Sequence, residues 1–309
     1  MRAVFLGSGG FAIPSFEALM QAGHEVVALV TQPDKQKGRG RGVASPPLKP
    51  VAQSRGVPVL QPRRVREPAA QAAIAALRAD IHVVVAYGQI LPLSLVELPR
   101  HGSVNVHASL LPRYRGAAPI QWAIARGETE TGVSTMRLDA GLDTGPVFLR
   151  RSLPIGPDET SGELEPRLAA LGARLLLETL AGLEADALVP AAQDPADASL
   201  APILHKEDGR LHWSQPAAEL ACRVRGFNPW PGGFTTWKDG RLAVWRARAV
   251  AASGPPEPGL IQGRDGDALL VSCASGSLAL LEVQAEGRRR MSGAAFAAGA
   301  RLEPAARFE

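Results

Sequence analysis

The chain has 309 residues, 46% hydrophobic and 21% charged, a composition typical of globular proteins and a length that predicts two domains of moderate size. No apolar run approaches the ~20 residues of a membrane-spanning helix, and the first one ends at Gly7, so we expect neither a membrane span nor a signal peptide. Cys222 and Cys273 stand far apart without metal-ligand spacing, which favours a reducing cytoplasm, and the net charge of +4 is compatible with a polyanionic partner without requiring one.

Short apolar runs alternate with helical stretches along the first half of the chain. The pattern predicts strands at 2–6, 26–30, 57–60 and 81–86, and helices through 16–20 and 69–77. The last of these strands is apolar at nearly every position, as expected for a parallel strand that is covered on both faces. The alternation predicts a doubly wound α/β domain.

The composition changes near residue 185. Residues 185–205 contain three prolines among small and acidic residues, which predicts an extended linker. Beyond the linker, short alternating runs separated by glycine-rich turns, with one helical stretch at 217–225, predict a small β-barrel. The predicted division is a first domain over 1–184, a linker over 185–206 and a second domain over 207–309.

The segment from Gly7 to Ala12 fits the G-x-G-x-x-A fingerprint of dinucleotide-binding turns. That fingerprint also needs an acidic residue at the end of the second strand, to hold the ribose hydroxyls. Here the strand runs into Thr31 and Gln32, and the first carboxylate is Asp34, after a proline. A tight strand-to-helix turn that binds no nucleotide is therefore the favoured interpretation, and a nicotinamide dehydrogenase is disfavoured.

A glycine-rich basic loop follows the second strand, from Pro33 to Lys49. Cationic side chains in such a loop can bind phosphates, and an arginine can also read or stack on a base. A solvated loop that keeps the protein soluble is the equal alternative from the residues alone. The cationic residues considered for phosphate binding are Lys35, Lys37, Arg39 and Arg41.

Asn105 and His107 end a short predicted strand. They are two residues apart, so their side chains share one face of an extended segment. An amide and an imidazole pointing the same way can stabilise charge on a carbonyl oxygen. A structural pair is the alternative. A metal site is not expected, because no H-E-x-x-H motif and no second histidine at ligand spacing are present.

A second loop carries two carboxylates among glycines, Asp139 and Asp143. Gly141 and Gly145 allow backbone conformations that other residues resist. Asp143 could lie against His107 and fix its orientation. The alternative is a turn capped by aspartates.

Several segments in this order resemble the methionyl-tRNA formyltransferase family, and the resemblance covers essentially the whole chain. An Asn-x-His pair with a later aspartate marks formyltransferases in general, whereas the GAAPIQ and GLDTG runs and the basic loop are more specific to the tRNA enzymes. The segments are NVHASLLPRYRGAAPIQ at 105–121, DAGLDTG at 139–145, TQPD at 31–34, VAYGQILP at 85–92 and FNPWP at 227–231.

The resemblance implies a Rossmann-like formyltransferase domain with a mainly parallel sheet, followed by an OB-fold-like β-barrel domain that binds tRNA. It implies transfer of a formyl group from 10-formyltetrahydrofolate to the α-amino group of initiator methionyl-tRNA, by direct attack through a tetrahedral oxyanion. We expect a cytoplasmic monomer that uses no metal.

The resemblance also assigns site residues. Asn105, His107 and Asp143 match the catalytic residues, and the four cationic residues of the basic loop match a tRNA-binding insertion with Arg39 as its key arginine. The positions matching the folate site are Tyr87, Gly88, Gln89, Ile90, Leu91, Ser109, Leu110, Leu111, Pro112 and Asp139.

One segment departs from the family pattern. Gly7-Ser8-Gly9-Gly10 stands where the family usually has Gly-Thr-Pro and an acidic residue. The nearest rival is a formyltransferase for a sugar-nucleotide amine or another small amine, which would share the three catalytic residues but has less use for the basic loop. A folate-dependent hydrolase and a non-catalytic RNA-binding protein are more distant alternatives.

Overall fold

The computed structural model describes residues 1–37, 42–238, 240–252, 254–302 and 306–309. Among these residues, no helix is long and apolar enough to cross a membrane. The chain forms two compact units. The first comprises Met1–Pro119, Glu130–Pro154 and Glu165–Pro202, and the second comprises Ile120–Thr129, Ile155–Leu164 and Ile203–Glu309.

The helices and strands alternate through the first unit, whereas strands dominate the second. In chain order the strands are β1 (Arg2–Gly7), β2 (Glu25–Val30), β3 (Lys35–Lys37), β4 (Gly42–Ala44), β5 (Val59–Leu60), β6 (Ile81–Val85), β7 (Ser103–His107), β8 (Arg115–Gly116), β9 (Glu130–Arg137), β10 (Val147–Pro154), β11 (Leu200–Ala201), β12 (Gly233–Trp237), β13 (Gly240–Val250), β14 (Ile261–Asp265), β15 (Ala268–Ser272), β16 (Ser277–Ala285) and β17 (Met291–Ser292). The helices are α1 (Ile13–Gln21), α2 (Leu48–Ser54), α3 (Pro68–Ala75), α4 (Leu93–Val96), α5 (Pro119–Ala125), α6 (Ser161–Glu184), α7 (Ala217–Gly226) and α8 (Gly293–Ala300).

The first unit is built on a seven-stranded sheet with the order β10-β9-β7-β6-β1-β2-β5. Five neighbouring strands are parallel to one another, namely β7, β6, β1, β2 and β5, and β9 pairs with β7 in the antiparallel direction. Every residue of β6 and β7 is buried, because helices and loops cover both faces of the sheet. The predicted α/β domain with a mainly parallel sheet is confirmed. The antiparallel edge β9–β10 and the long helix α6 were not predicted.

The second unit contains an antiparallel sheet with the order β12-β13-β16-β15-β14, and β17 pairs with β16. Leu220 and Val224 of α7 are buried in the same apolar cluster as Leu269 of β15 and Leu280 of β16. Alternating burial along β13 and the antiparallel pairing follow from strands with one face toward this core. The predicted second domain of short antiparallel strands is confirmed, and α7 begins at the residue that the sequence indicates.

The predicted linker over 185–206 makes backbone hydrogen bonds to the first unit. Ala191 pairs with Val147 in an isolated antiparallel bridge, and β11 pairs with β8. Residues up to Pro202 therefore belong to the first unit through their backbone hydrogen bonds, although the predicted functional division into 1–184, 185–206 and 207–309 stays a prediction.

Candidate active site

Asn105 and His107 lie at the carboxyl end of β7, in the middle of the sheet. Asn105 is in register with Val84 of the parallel strand β6, and His107 is opposite Ser134 of β9. The two side chains are only 8% and 6% exposed. Ligands of α/β sheets bind outside the carboxyl ends of the parallel strands, so this is the expected edge for a site.

The loop from Asp139 to Gly145 brings Asp143 to this edge. Asp143 has a φ of +53°, a conformation that residues other than glycine rarely adopt. A Cβ added to Gly145 would overlap the carbonyl oxygen of Arg137, so only glycine fits there. Asp139 caps the turn, since its carboxylate accepts from Gly141 N at 3.0 Å and from Thr144 Oγ1 at 2.8 Å.

Asn105, His107 and Asp143 converge in the structure. Asn105 Nδ2 donates to Asp143 Oδ1 at 3.4 Å, and His107 Nδ1 lies 3.7 Å from Asp143 Oδ2. Gly116 N also donates to Asp143 Oδ2, at 2.9 Å. One carboxylate therefore faces both an amide donor and an imidazole.

The two ring nitrogens of His107 have different partners. Nε2 lies 2.9 Å from the carbonyl oxygen of Tyr114, which can only accept, so the geometry assigns a hydrogen to Nε2. Nδ1 faces Asp143 at a distance that is too long for a direct hydrogen bond. The nitrogen available for chemistry is therefore Nδ1, while Nε2 anchors the ring.

The segment Ser109–Pro112 forms the turn that follows β7. Ser134 Oγ donates to Ser109 O at 2.7 Å and accepts from Leu111 N at 3.0 Å, and Leu111 is fully buried with Met136. Leu110 and Pro112 are half-buried. Of the four predicted folate-site residues, Ser109 and Leu111 thus support the turn, while Leu110 and Pro112 reach its surface.

The side chains of the second predicted folate segment, Tyr87–Leu91, point in different directions. Tyr87 and Leu91 belong to an apolar cluster below the loop, and burial raises the pKa of the Tyr87 hydroxyl to about 12. Gln89 Oε1 accepts from Val65 N at 2.8 Å. Gly88 has a φ of +81°. Ile90 is 85% exposed, so it is the member of this loop that offers its side chain to solvent.

Ser8 holds the start of this loop. Its Oγ accepts from Gln32 N at 3.1 Å and donates to Tyr87 O at 3.2 Å, and Gln32 Nε2 donates to the same carbonyl at 3.0 Å. Thr31 Oγ1 donates to Ser8 Oγ as well. The hydroxyl therefore ties together the carboxyl ends of β1, β2 and β6. Sequence reasoning missed this role, although a hydroxyl residue directly after β1 was a usable signal.

Within the basic loop, the short strands β3 and β4 pair in the antiparallel direction. Lys35 and Lys37 lie in β3, which pairs with β4, and the Lys35 side chain is exposed. Arg39 and Arg41 lie outside the described residues. Hydrogen bonds from Lys49 and Gln61 lower the pKa of the Asp34 carboxyl, and the Lys49 bond is 2.6 Å long.

An amide, an imidazole and a carboxylate together at the carboxyl ends of parallel strands are groups that can stabilise charge on a carbonyl oxygen, as a group-transfer enzyme requires. The formyl transferase family model matches residues 1–180, and the model of the formyl transferase C-terminal domain matches residues 203–301.

Known proteins resemble the chain at two levels. A methionyl-tRNA formyltransferase of Solibacter usitatus (strain Ellin6076) is 52% identical over 303 residues, which make up 98% of this chain and 96% of the relative. The chain belongs to the methionyl-tRNA formyltransferase family.

Two solved structures share the fold at low sequence identity. An N-formyltransferase from Helicobacter canadensis, in complex with folinic acid and dTDP-3-aminofucose, superposes with a TM-score of 0.68 at 16% identity, covering 90% of this chain and 98% of that one. HypX from Aquifex aeolicus, in complex with tetrahydrofolic acid, gives 0.64 at 16% identity and covers 96% of this chain. The matched region is 47% of HypX, so the chain spans about half the length of that protein.

Proposed function

We propose that the chain transfers the formyl group of 10-formyltetrahydrofolate to the free α-amino group of initiator methionyl-tRNA. The observation that carries the proposal is the convergence of Asn105, His107 and Asp143 at the carboxyl edge of the sheet. The substrates are inferred from membership of the family, and the catalytic roles are inferred from the convergence of the three side chains.

Asn105 and His107 stabilise the negative charge that develops on the formyl oxygen during direct attack by the amine. Asn105 contributes Nδ2 and protonated His107 contributes Nδ1, because its Nε2 is engaged by Tyr114. Asp143 faces both donors and fixes their direction. Losing one such donor typically costs about 10²–10³ in rate.

Asp143 also moves the proton that the reaction must transfer. A carbon–nitrogen bond forms to the neutral methionyl amine, the bond from the formyl carbon to the folate nitrogen breaks, and one proton passes from the first nitrogen to the second. Asp143 is the carboxylate beside both donors. It accepts the proton of the attacking amine through a water and passes it to the leaving folate nitrogen. The step needs no covalent enzyme intermediate.

The loops 87–91 and 139–145 are proposed to form the walls of the folate site. Ile90 and Leu142 are exposed apolar side chains on these loops, and Tyr87, Leu91 and Leu138 lie together in one apolar cluster. Binding sites for small ligands combine apolar walls with a few placed polar groups. When bound there, the folate supplies the formyl group. Residues 87–91, 109–112 and Asp139 remain the proposed folate site.

The basic loop is proposed to bind the acceptor end of the tRNA. Lys35, Lys37, Arg39 and Arg41 would neutralise phosphates, and the second domain over 207–309 would hold another part of the tRNA. A cytoplasmic location follows from this substrate, since tRNA is charged and used where translation takes place. The monomeric state and the absence of a metal stay predictions.

The deciding experiment mixes the full chain with methionyl-initiator-tRNA and 10-formyltetrahydrofolate and assays for formylmethionine. Parallel reactions contain charged elongator tRNA or a sugar-nucleotide amine. We expect formylation of the initiator tRNA only. Formylation of the sugar-nucleotide amine with no formylmethionine would overturn the proposal in favour of the small-amine rival.

A further inference from the structure

Gln193 is a buried glutamine in the segment for which the sequence predicts a linker. It is 9% exposed. Its Nε2 donates to Asp143 O at 2.8 Å and to Gly145 O at 2.6 Å. Its Oε1 accepts from Arg115 Nε at 3.1 Å and from Arg115 Nη2 at 2.8 Å. Both hydrogens of the amide and both lone pairs of its oxygen are thereby used.

These hydrogen bonds hold the backbone of Asp143 in a left-handed conformation that is unfavourable for a residue with a side chain. The φ of +53° at Asp143 is rarely adopted by a residue with a Cβ, so surrounding contacts must maintain it. Gln193 holds the carbonyl of Asp143 and that of Gly145, two residues later. The backbone of the loop is thus fixed directly after the Cα of Asp143, from which the carboxylate projects.

The carboxylate of Asp143 is held by the residue next to Arg115. Gly116 N donates to Asp143 Oδ2 at 2.9 Å, and Gly116 follows Arg115, the residue that holds Gln193. The short strands β8 and β11 fix this pair, because Arg115 N donates to Ser199 O at 2.8 Å. A closed frame therefore runs from β8 through Gln193 to the backbone of Asp143, and from its carboxylate back to β8.

We propose that Gln193 is a positioning residue that sets the distance of Asp143 from Asn105 and His107. This inference rests on the proposed function, in which Asp143 orients those donors and moves the proton. The amide group is specifically required, since one of its atoms donates twice while the other accepts twice. A glutamate at this position would still accept from Arg115 but would turn an oxygen toward two carbonyl oxygens, and a buried polar group without a partner is costly.

The test uses Gln193→Glu in the full chain, with kcat and the KM for each substrate measured separately. We expect kcat to fall by about 100-fold, the scale of misplaced proton transfer, while both KM values stay within about threefold. Gln71→Glu is the matched control. Gln71 Nε2 also donates to a backbone carbonyl, that of Arg66, at 2.7 Å, and Gln71 lies outside the site. We expect its kcat to be unchanged.

A double-mutant cycle separates positioning from a general loss of structure. Gln193→Glu is measured again in an Asp143→Ala background by single-turnover kinetics, where its effect should shrink to about twofold or less because there is no carboxylate left to position. An equal effect of Gln193→Glu in both backgrounds would overturn the inference. So would a kcat of Gln193→Glu within about threefold of the unmodified chain, if Asp143→Ala is inactive. Full activity of Asp143→Ala would instead overturn the proposed catalytic role, and the inference with it.

A second variant keeps the test valid where Gln193→Glu does not fold. Arg115→Lys retains the charge but loses the paired donation to Gln193 Oε1, because an ammonium lacks the fork of a guanidinium. We expect a fall in kcat of about tenfold at unchanged KM, with the same loss of effect in the Asp143→Ala background. An unchanged kcat would count against the frame.

Discussion

His107 has a different partner at each of its two ring nitrogens. Its Nε2 is held by the carbonyl of Tyr114, and its Nδ1 faces Asp143. Tyr114 has a φ of +62°, and Ser199 Oγ accepts from its backbone N–H at 2.9 Å. The orientation of the imidazole is therefore set by a backbone group that is itself fixed by a residue far along the chain.

Asn105→Ala and His107→Ala test the roles of the two donors. Each change removes one proposed hydrogen-bond donor to the formyl oxygen, so kcat should fall by about 10²–10³ while the Kd for tRNA stays nearly constant. His101→Ala is the control, because His101 lies before β7 and outside the site. Near-normal turnover in both donor variants would show that the charge is stabilised elsewhere.

Gly145→Ala tests the loop that presents Asp143. The added methyl group would overlap the carbonyl oxygen of Arg137, so the loop must shift. We expect a loss of about 1–3 kcal/mol in the free energy of unfolding, measured by denaturant titration, together with a lower kcat. Gly299→Ala is the control, since its methyl group meets no atom within 4 Å and alanine favours helix α8. Equal stability of the two variants would contradict the overlap.

At the scale of elements, the site depends on the order of the strands. Parallel pairing of β6 with β7 sets Val84 beside Asn105, so β6 runs into the Tyr87–Leu91 loop at the carboxyl end of β7. In the antiparallel pair, Arg137 at the end of β9 is opposite Val104, so the loop that follows starts toward the amino end of β7 and brings Asp143 back to Asn105 and His107. The strand β6 also carries a titratable residue inside the core. His82 is 1% exposed, and burial lowers its pKa to about 4.

His82 should make the fold sensitive to acid. The unfolded chain binds a proton at His82 as the pH falls below about 6.5, whereas the folded chain resists protonation until about pH 4. Stability is therefore lost as the pH falls through this window, by about 3 kcal/mol between pH 7 and pH 4. His82→Gln should remove this part of the pH dependence of the free energy of unfolding. His212→Gln, at an exposed histidine, should leave it intact, and identical pH profiles for the two variants would refute the assignment.

At the scale of the whole molecule, a net charge of +4 is modest for a protein that binds a polyanion. Much of the charge is already paired on the surface, as in the pairs Arg151–Glu178 and Arg246–Glu163. Binding of tRNA should therefore depend on local groups of cations such as the basic loop, and not on the overall field.

Affinity for tRNA should fall as the salt concentration rises, since neutralised phosphates release counterions. Lys35→Ala should weaken binding and lower the slope of log K against log salt by about 1. Arg55→Ala is the control. It removes one exposed positive charge from the first unit, and that charge already pairs with Glu17. Identical slopes in filter-binding titrations of the two variants would exclude the loop from phosphate contact.

The sequence by itself determined the local features of this protein. The apolar runs of β1, β2 and β6 predicted a parallel sheet, because burial on both faces requires side chains that are apolar throughout. The two-residue spacing of Asn105 and His107 placed both on one face of the strand.

Only the tertiary structure decided which distant groups meet. Gln193 reaches Asp143 across 50 residues, and Ser8 reaches Tyr87 across 79. No periodicity predicts such contacts, because they depend on how strands and returning segments are arranged, and a glutamine among prolines reads locally as part of a linker. Composition and spacing fix which side chains share a face, while the packing of the chain fixes what lies opposite that face.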